Sequence, residues 1–169
     1  MKKYYLLALS LLVLSVTIFS CSKTDDTDYV NVSEKNAPVV NGPIKIDLTQ
    51  VPLPKLSDYH FFIGEMKNQK PAYKVLPYEP ASSLFSDYAH KKRFVWMPKG
   101  TKATYAGDDN TLEFPVGAVL IKSFYYDHVQ PSNVTKILET RLLIRKSDGW
   151  KLYDYIWNDA QTEAYLDTN

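Results

Sequence analysis

The clearest alternation of apolar and polar positions lies in residues 113–159. Three apolar or aromatic runs are separated there by turn residues, the pattern of three consecutive antiparallel strands. Across residues 118–126 both alternating sets are mostly apolar, with Ala118, Leu120, Phe124 and Tyr126 against Val119, Ile121 and Tyr125. That predicts a strand covered on both faces, with Lys122 as the exception. Residues 127–136 read as a loop around Pro131-Ser132-Asn133. Residues 137–146 then alternate cleanly. Leu138, Thr140, Leu142 and Ile144 fall on one face, and Glu139, Arg141 and Arg145 on the other with Leu143 among them. Ser147-Asp148-Gly149 signals a hairpin and leaves two registers open. A three-residue loop with Gly149 left-handed pairs Lys146 with Trp150, Arg141 with Tyr155 and Glu139 with Trp157. A two-residue Asp148-Gly149 turn shifts the register by one and sends Tyr153, Tyr155 and Trp157 to the aliphatic face. The three-residue loop is favoured because it gathers charges and aromatics together.

Upstream the pattern is more broken. Residues 21–50 are polar without sustained periodicity and read as a flexible linker, although Ile44-Lys45-Ile46-Asp47-Leu48 alternates as a short edge strand would. Ser57 or Asp58 is placed to cap a short helical turn, and residues 64–70 read as a turn or brief helix. Pro71, Pro77 and Pro80 exclude long regular structure, so this arm is expected to run extended, anchored by Tyr73, Val75, Leu76 and Tyr78. Ser86 or Asp87, followed by Tyr88-Ala89-His90-Lys91-Lys92, suggests one or two helical turns. Residues 94–97 read as a strand stopped by Pro98, residues 101–105 as another, and residues 107–110 as a turn. The expected architecture is a single mainly β domain over residues 51–169. It is an antiparallel β-sandwich or open barrel with one or two short helices.

Composition changes this picture little. With 45% hydrophobic and 23% charged residues, the 169-residue chain can build one real core. Thirteen Tyr, seven Phe and three Trp favour strands and also suit binding surfaces. A formal net charge of +1 gives no electrostatic footprint for nucleic acid.

The amino terminus changes it more. Met1-Lys2-Lys3 is a basic start, residues 4–19 an uncharged apolar run, and residues 1–20 together read as a secretory signal. Removing them takes away Lys2 and Lys3 and no acid, leaving 18 basic against 19 acidic residues. Cys21 is the only cysteine, which excludes an internal disulfide and any Cys-rich metal centre. Ile18-Phe19-Ser20-Cys21 resembles the bacterial lipoprotein box, with Ile18 and the bulky Phe19 as departures from it. The resemblance implies lipidation of the Cys21 thiol, and several acyl chains at ~0.8 kcal/mol per buried methylene anchor stably. Asp25, Asp26 and Asp28 follow closely, resembling the surface-export signal of Bacteroidota-type lipoproteins. The expected location is the outer membrane, facing the periplasm or the cell surface.

No catalytic constellation stands out. A nucleophile elbow, a phosphate loop and a dinucleotide fingerprint are all absent. His60, His90 and His128 lie thirty or more positions apart, without metal-site spacing. Two binding candidates remain. One is a face built from Lys122, Glu139, Arg141, Tyr153, Tyr155, Trp157, Asn158 and Gln161, where aromatics beside charges suit a sugar or a partner protein. The other is a docking patch of Asp87, His90, Lys91 and Arg93.

Six motifs occur in a telling order: Leu56-Ser57-x-Tyr59-x-Phe61, Val75-Leu76-Pro77-Tyr78, the 84–94 run from Leu84-Phe85-Ser86-Asp87-Tyr88-Ala89 to Arg93-Phe94, Phe114-Pro115-x-Gly117 with Val119-Leu120-Ile121-Lys122-x-Phe124, Glu139-Thr140-Arg141-Leu142-Leu143-Ile144-Arg145, and Tyr155-Ile156-Trp157-Asn158-Asp159-x-Gln161-Thr162-x-Ala164. Together they resemble the N-terminal domain of a family of bacterial exported proteins associated with c-type cytochromes. Some members are joined to glucose/sorbosone dehydrogenase-like propellers. The resemblance implies a non-enzymatic accessory domain of an exported redox system, docking a cytochrome c or a sugar dehydrogenase. It implies no cofactor in this chain. Haem is expected only on a partner, or on a C-terminal segment missing after Asn169 in a truncated or split gene product. The alternative expectation is a lipoprotein that binds carbohydrate or another small ligand through a Tyr/Trp face.

Overall fold

A computed structural model describes residues 44–82 and 84–168 of the chain. The expected signal at 1–20, the lipidation site Cys21 and residues 22–43 of the linker lie outside the described residues.

The fold is mainly β and antiparallel throughout. Three short strands come first: β1 (Phe62–Ile63), β2 (Lys70–Pro71) and β3 (Leu76–Pro77). Four longer strands follow, β4 (His90–Trp96), β5 (Val119–Val129), β6 (Val134–Lys146) and β7 (Gly149–Trp157), and β8 (Ala164–Leu166) closes the order. β1 and β2 pair by themselves, while the remaining six form one sheet in the order β3-β4-β5-β6-β7-β8. Every neighbour in that sheet is the next strand in the chain, so it is a meander that does not close on itself. The helical content of the described residues is two 3₁₀ turns, Leu56–Tyr59 and Met66–Asn68. Ser57 and Asp58 lie inside the first turn; Lys55 holds its N-cap position and makes no side-chain cap.

The core fills one face of the sheet. Val119 and Ile121 of β5, Leu142 and Ile144 of β6, and Phe94 and Trp96 of β4 are buried there. The N-terminal segment covers them. Phe61 stacks on Tyr59 at 5.3 Å and meets Trp96 at 6.2 Å, and Phe62 meets Phe94 edge-on at 5.2 Å. Ile44, Ile46 and Leu48, expected in the linker, also pack on this core, without forming the edge strand suggested by their alternation. Gly117 leads into β5 at φ +92, and a Cβ there would meet Pro98 Cγ at 2.9 Å, so only glycine fits without a shift.

Several expectations are corrected. Among the described residues β5 is covered on one face only; Leu120, Lys122 and Phe124 on its other face are partly exposed. Residues 86–92 form no helix. Asp87 and Tyr88 make a turn at positive φ, and β4 starts at His90, because seven cross-strand pairs with β5 from His90↔Tyr125 to Trp96↔Val119 outweigh the local capping signal. Residues 101–105 contribute only the isolated bridge Thr104↔Glu113. In the 71–79 arm Val75 is buried, but Tyr73, Leu76 and Tyr78 are exposed.

The β6–β7 register differs from both sequence alternatives. Lys146 pairs with Gly149 and Arg145 with Trp150, so the turn is Ser147-Asp148. Tyr153 then pairs with Leu142 and Tyr155 with Thr140, which puts these aromatics on the aliphatic face and overturns the favoured three-residue loop. Leu138, expected in the core, is exposed. Phe124 pairs with Glu139 but Tyr125 with Ile137, so Leu138 is the extra residue of a bulge and Ile137 takes the buried place.

Candidate functional site

The face of the six-stranded sheet opposite the core, uncovered among the described residues, is where the charged candidates converge. Its side chains stand in rows because directly opposed residues of paired strands share a face. One row is apolar and crosses five strands: Leu76, Val95, Leu120, Leu143 and Leu152. Its two ends, Leu76 and Leu152, are 56% and 54% exposed. The next row, two residues along, is Arg93, Lys122, Arg141 and Asp154. A third is Lys91, Phe124, Glu139, Ile156 and Tyr165.

The charged row is organised around Phe124 and Arg141. Lys122 Nζ lies 4.6 Å and Arg141 Cζ 5.1 Å from the Phe124 ring centroid, so one ring serves two cations. Arg141 donates from Nε to Glu139 Oε1 at 2.8 Å, and its NH2 group stands 2.7 Å from the same oxygen. Its Nε is also 3.4 Å from Asp154 Oδ1, a buried oxygen that accepts no hydrogen bond. Arg141 is therefore neutralised and oriented. Among the described residues, Arg93 and Lys122 have no carboxylate within ion-pair distance. Burial holds the Lys122 ammonium below the ordinary lysine pKa; Arg93, Lys91 and Arg141 push the same way, and Glu139 opposes them.

A groove of about 550 Å³ adjoins this face along the start of β4, lined by Leu84, Phe85, Tyr88, His90, Lys91 and Arg93 among others. Leu84, Phe85 and Tyr88 are exposed, with Phe85 edge-on to Tyr88 at 6.0 Å. Lys91 Nζ donates to the Leu84 carbonyl, and Tyr126 donates to the Asp87 carbonyl at 3.0 Å, which pins the turn.

The two sequence patches are thus partly one. Lys91 and Arg93 of the docking patch join Lys122, Glu139 and Arg141 of the binding face. His90 points the other way, stacked on Tyr125 at 5.3 Å and 3.9 Å from Asp127 Oδ2, and Asp87 sits in the turn. The aromatic half of the expected binding face is elsewhere. Tyr155 is fully buried and Trp157 is 6% exposed, so neither ring can stack on a ligand. Tyr153 packs against the same core. Tyr155 donates to the Leu53 carbonyl at 2.8 Å and meets the Tyr59 hydroxyl at 2.8 Å, while burial drives its phenol pKa far upward.

Asn158 and Gln161 are turn clamps. Asn158 Oδ1 accepts from the backbone N–H groups of Thr162 and Glu163. Gln161 Oε1 accepts from Ile137 N at 2.6 Å, and its Nε2 donates to Ile137 O and Asn158 O, both at 3.0 Å. It satisfies the Ile137 backbone just beyond Glu139↔Ile156, the last β6–β7 pair.

Sequence reasoning missed Leu76, Val95, Leu120, Leu143, Leu152, Phe124 and Asp154 as members of this face. Leu143 among the charges of β6 and Lys122 among the apolar residues of β5 were the available signals. On this face the chemistry offered is binding: cations, a ring face and an apolar row. Among the described residues no three His, Cys, Asp or Glu side chains gather to hold a metal ion.

Comparison of the chain with protein-family models, with curated proteins and with solved structures finds no match in any of the three.

Proposed function

We propose that this protein is a docking domain of an exported redox system. It is anchored through a lipid on Cys21 to the outer membrane, and it holds a c-type cytochrome or a dehydrogenase against the open face of its six-stranded sheet. The domain supplies position rather than chemistry, and haem belongs to the partner. One observation carries the reading: the unbroken row Leu76, Val95, Leu120, Leu143 and Leu152 on a face that no strand among the described residues covers. An antiparallel sheet commonly packs one face and solvates the other, so the outer face should alternate toward polar residues. Five apolar residues in line, with charged residues beside them, have instead the anatomy of a protein interface. The ordered motifs from Leu56 to Ala164, through their resemblance to cytochrome-associated exported proteins, supply the kind of partner.

The test uses the full chain, tagged at its C-terminus and purified in detergent from native membranes. A haem protein or a dehydrogenase should co-purify with the wild type and be lost with Leu152→Glu, a change at an exposed position whose unaltered urea unfolding is checked alongside. Recovery of neither class of partner by the wild type would sink the reading. Undiminished recovery by Leu152→Glu would remove the sheet face from it.

A further inference from the structure

We propose that the partner surface received by this face is acidic: an extended polypeptide segment whose carboxylates seat on Arg93 and Lys122, next to apolar side chains that lie on the Leu120–Leu143 row. The inference rests on the docking reading of the same face and names the chemistry of its occupant.

The charge pattern is the first reason. Arg93, Lys122 and Arg141 are directly opposed on three consecutive strands. Neighbouring strands are ~4.8 Å apart, so this row sets like charges side by side, an arrangement that weakens a sheet. Alternating signs would serve folding better. Arg141 is relieved by Glu139 and Asp154, but among the described residues nothing relieves Arg93 and Lys122 in this way. Counting Lys91, the two rows hold four cations against two carboxylates.

The second reason is what the unpaired cations lack. Lys122 is partly buried, which strips water from its charge, and the Phe124 ring 4.6 Å away is only a weak substitute. A carboxylate arriving between Arg93 and Lys122 would restore the lost solvation and cancel the like-charge contact at once. Such a pair is desolvated on both sides, the situation in which interfacial ion pairs carry specificity.

Geometry narrows the occupant further. The apolar and cationic rows are two residues apart along each strand, about 6.7 Å. An occupant must therefore bring acidic and apolar groups to that spacing on one face, as an extended segment with an acidic and an apolar residue two positions apart does. A small inorganic anion would use the cations and leave the Leu row open.

The probe is a fluorescein-labelled peptide repeating Glu-Ser-Leu-Ser, which puts Glu and Leu on one face when extended, with its Gln-for-Glu counterpart, read by anisotropy on the full-length protein. The Glu peptide should bind, the Gln peptide at least about tenfold more weakly, and a rise from 20 to 150 mM salt should loosen only the Glu peptide. Arg93→Gln and Lys122→Met should each weaken the Glu peptide by about fivefold or more with a thermal midpoint no lower than the wild type's, while Lys45→Gln, outside this face, leaves binding unchanged. Equal binding of both peptides, indifference to Arg93→Gln and Lys122→Met, or displacement by millimolar inorganic phosphate at constant ionic strength would overturn the proposal. The two readings fail separately. Glu-peptide binding without a redox partner in the membrane purification defeats the docking to a redox system alone. A partner lost through Leu152→Glu while the Glu peptide fails to bind defeats the acidic chemistry alone.

Discussion

Thr140 and Arg141 are neighbours in the chain and belong to different regimes. On the inner face, Gln69 Nε2 donates to Ser123 Oγ, Ser123 and Thr140 share a 2.7 Å hydrogen bond, and Trp157 Nε1 donates to Thr140 Oγ1 at 2.9 Å. These polar groups sit in the core and find their partners within the chain, apart from the buried Gln69 Oε1. On the outer face, one residue away, Arg141 faces Lys122 and Lys122 faces Arg93 with the charges unbalanced. The difference teaches how one alternating strand divides its work. Polar groups turned inward are satisfied because burying them otherwise would cost too much to fold. Cations turned outward can stay unmatched because water still reaches part of their charge, so the cost is modest. The inner face makes the fold, and the outer face is free to specify a partner.

The largest test of that division is Trp157→Ala. If Trp157 is core, its loss removes a large buried ring together with the Thr140 hydrogen bond and should cost about 3–5 kcal/mol in urea unfolding. A cost below about 1 kcal/mol, the usual range for exposed residues, would move Trp157 to a surface and revive the aromatic ligand face.

Gln161→Ala is the middle test. Gln161 resembles a binding residue in the sequence, but its amide closes the backbone gap at Ile137. Losing it leaves the Ile137 N–H and carbonyl without that partner and should cost about 1–3 kcal/mol. Amide exchange at Ile137 should accelerate more than at Leu142, which lies away from the bulge. Equal protection in the variant would break the clamp assignment and return Gln161 to the list of ligand contacts.

These residues also show what the sequence could and could not reveal. The alternation of residues 139–146 is local, and the structure keeps it. The place of Tyr155 and Trp157 was not local. Trp150-Lys151-Leu152-Tyr153-Asp154-Tyr155-Ile156-Trp157 carries apolar groups on both sets of positions, so one residue in the turn decides which set is buried, and Ser147-Asp148-Gly149 suits more than one turn. Leu138 was lost to a bulge between β5 and β6, set by pairing with a strand that the alternation of residues 137–146 does not record. Residues 86–92 carried a helix-capping signal that strand pairing overrode. The cation row was least visible of all. Arg93, Lys122 and Arg141 lie on three strands far apart in the chain, and only the paired registers place them side by side.

Lys122→Met gives the smallest effect and the sharpest contrast with Trp157. Methionine keeps an apolar stem beside Phe124 and removes the charge. If Lys122 is poised for a partner rather than for stability, the variant should be as stable as the wild type or more so, within about 1 kcal/mol, because a like-charge contact disappears. The pH dependence fixes the sign. The folded-state pKa of Lys122 is lowered by burial first and by Arg93, Lys91 and Arg141 after it, so the unfolded chain binds this proton more firmly. The charged ammonium therefore subtracts from stability throughout the range below its folded pKa. That loss is recovered as pH rises through the folded value toward 10.5, the ordinary lysine pKa. Urea unfolding of both proteins from pH 7 upward should show the variant's margin largest near neutrality and shrinking toward pH 10.5. Taking the difference cancels other lysines and tyrosines that titrate there. A margin that grew with pH, or a variant clearly less stable at pH 7, would mean that the Lys122 charge serves the fold, and the contrast between the two faces would fail at its central residue.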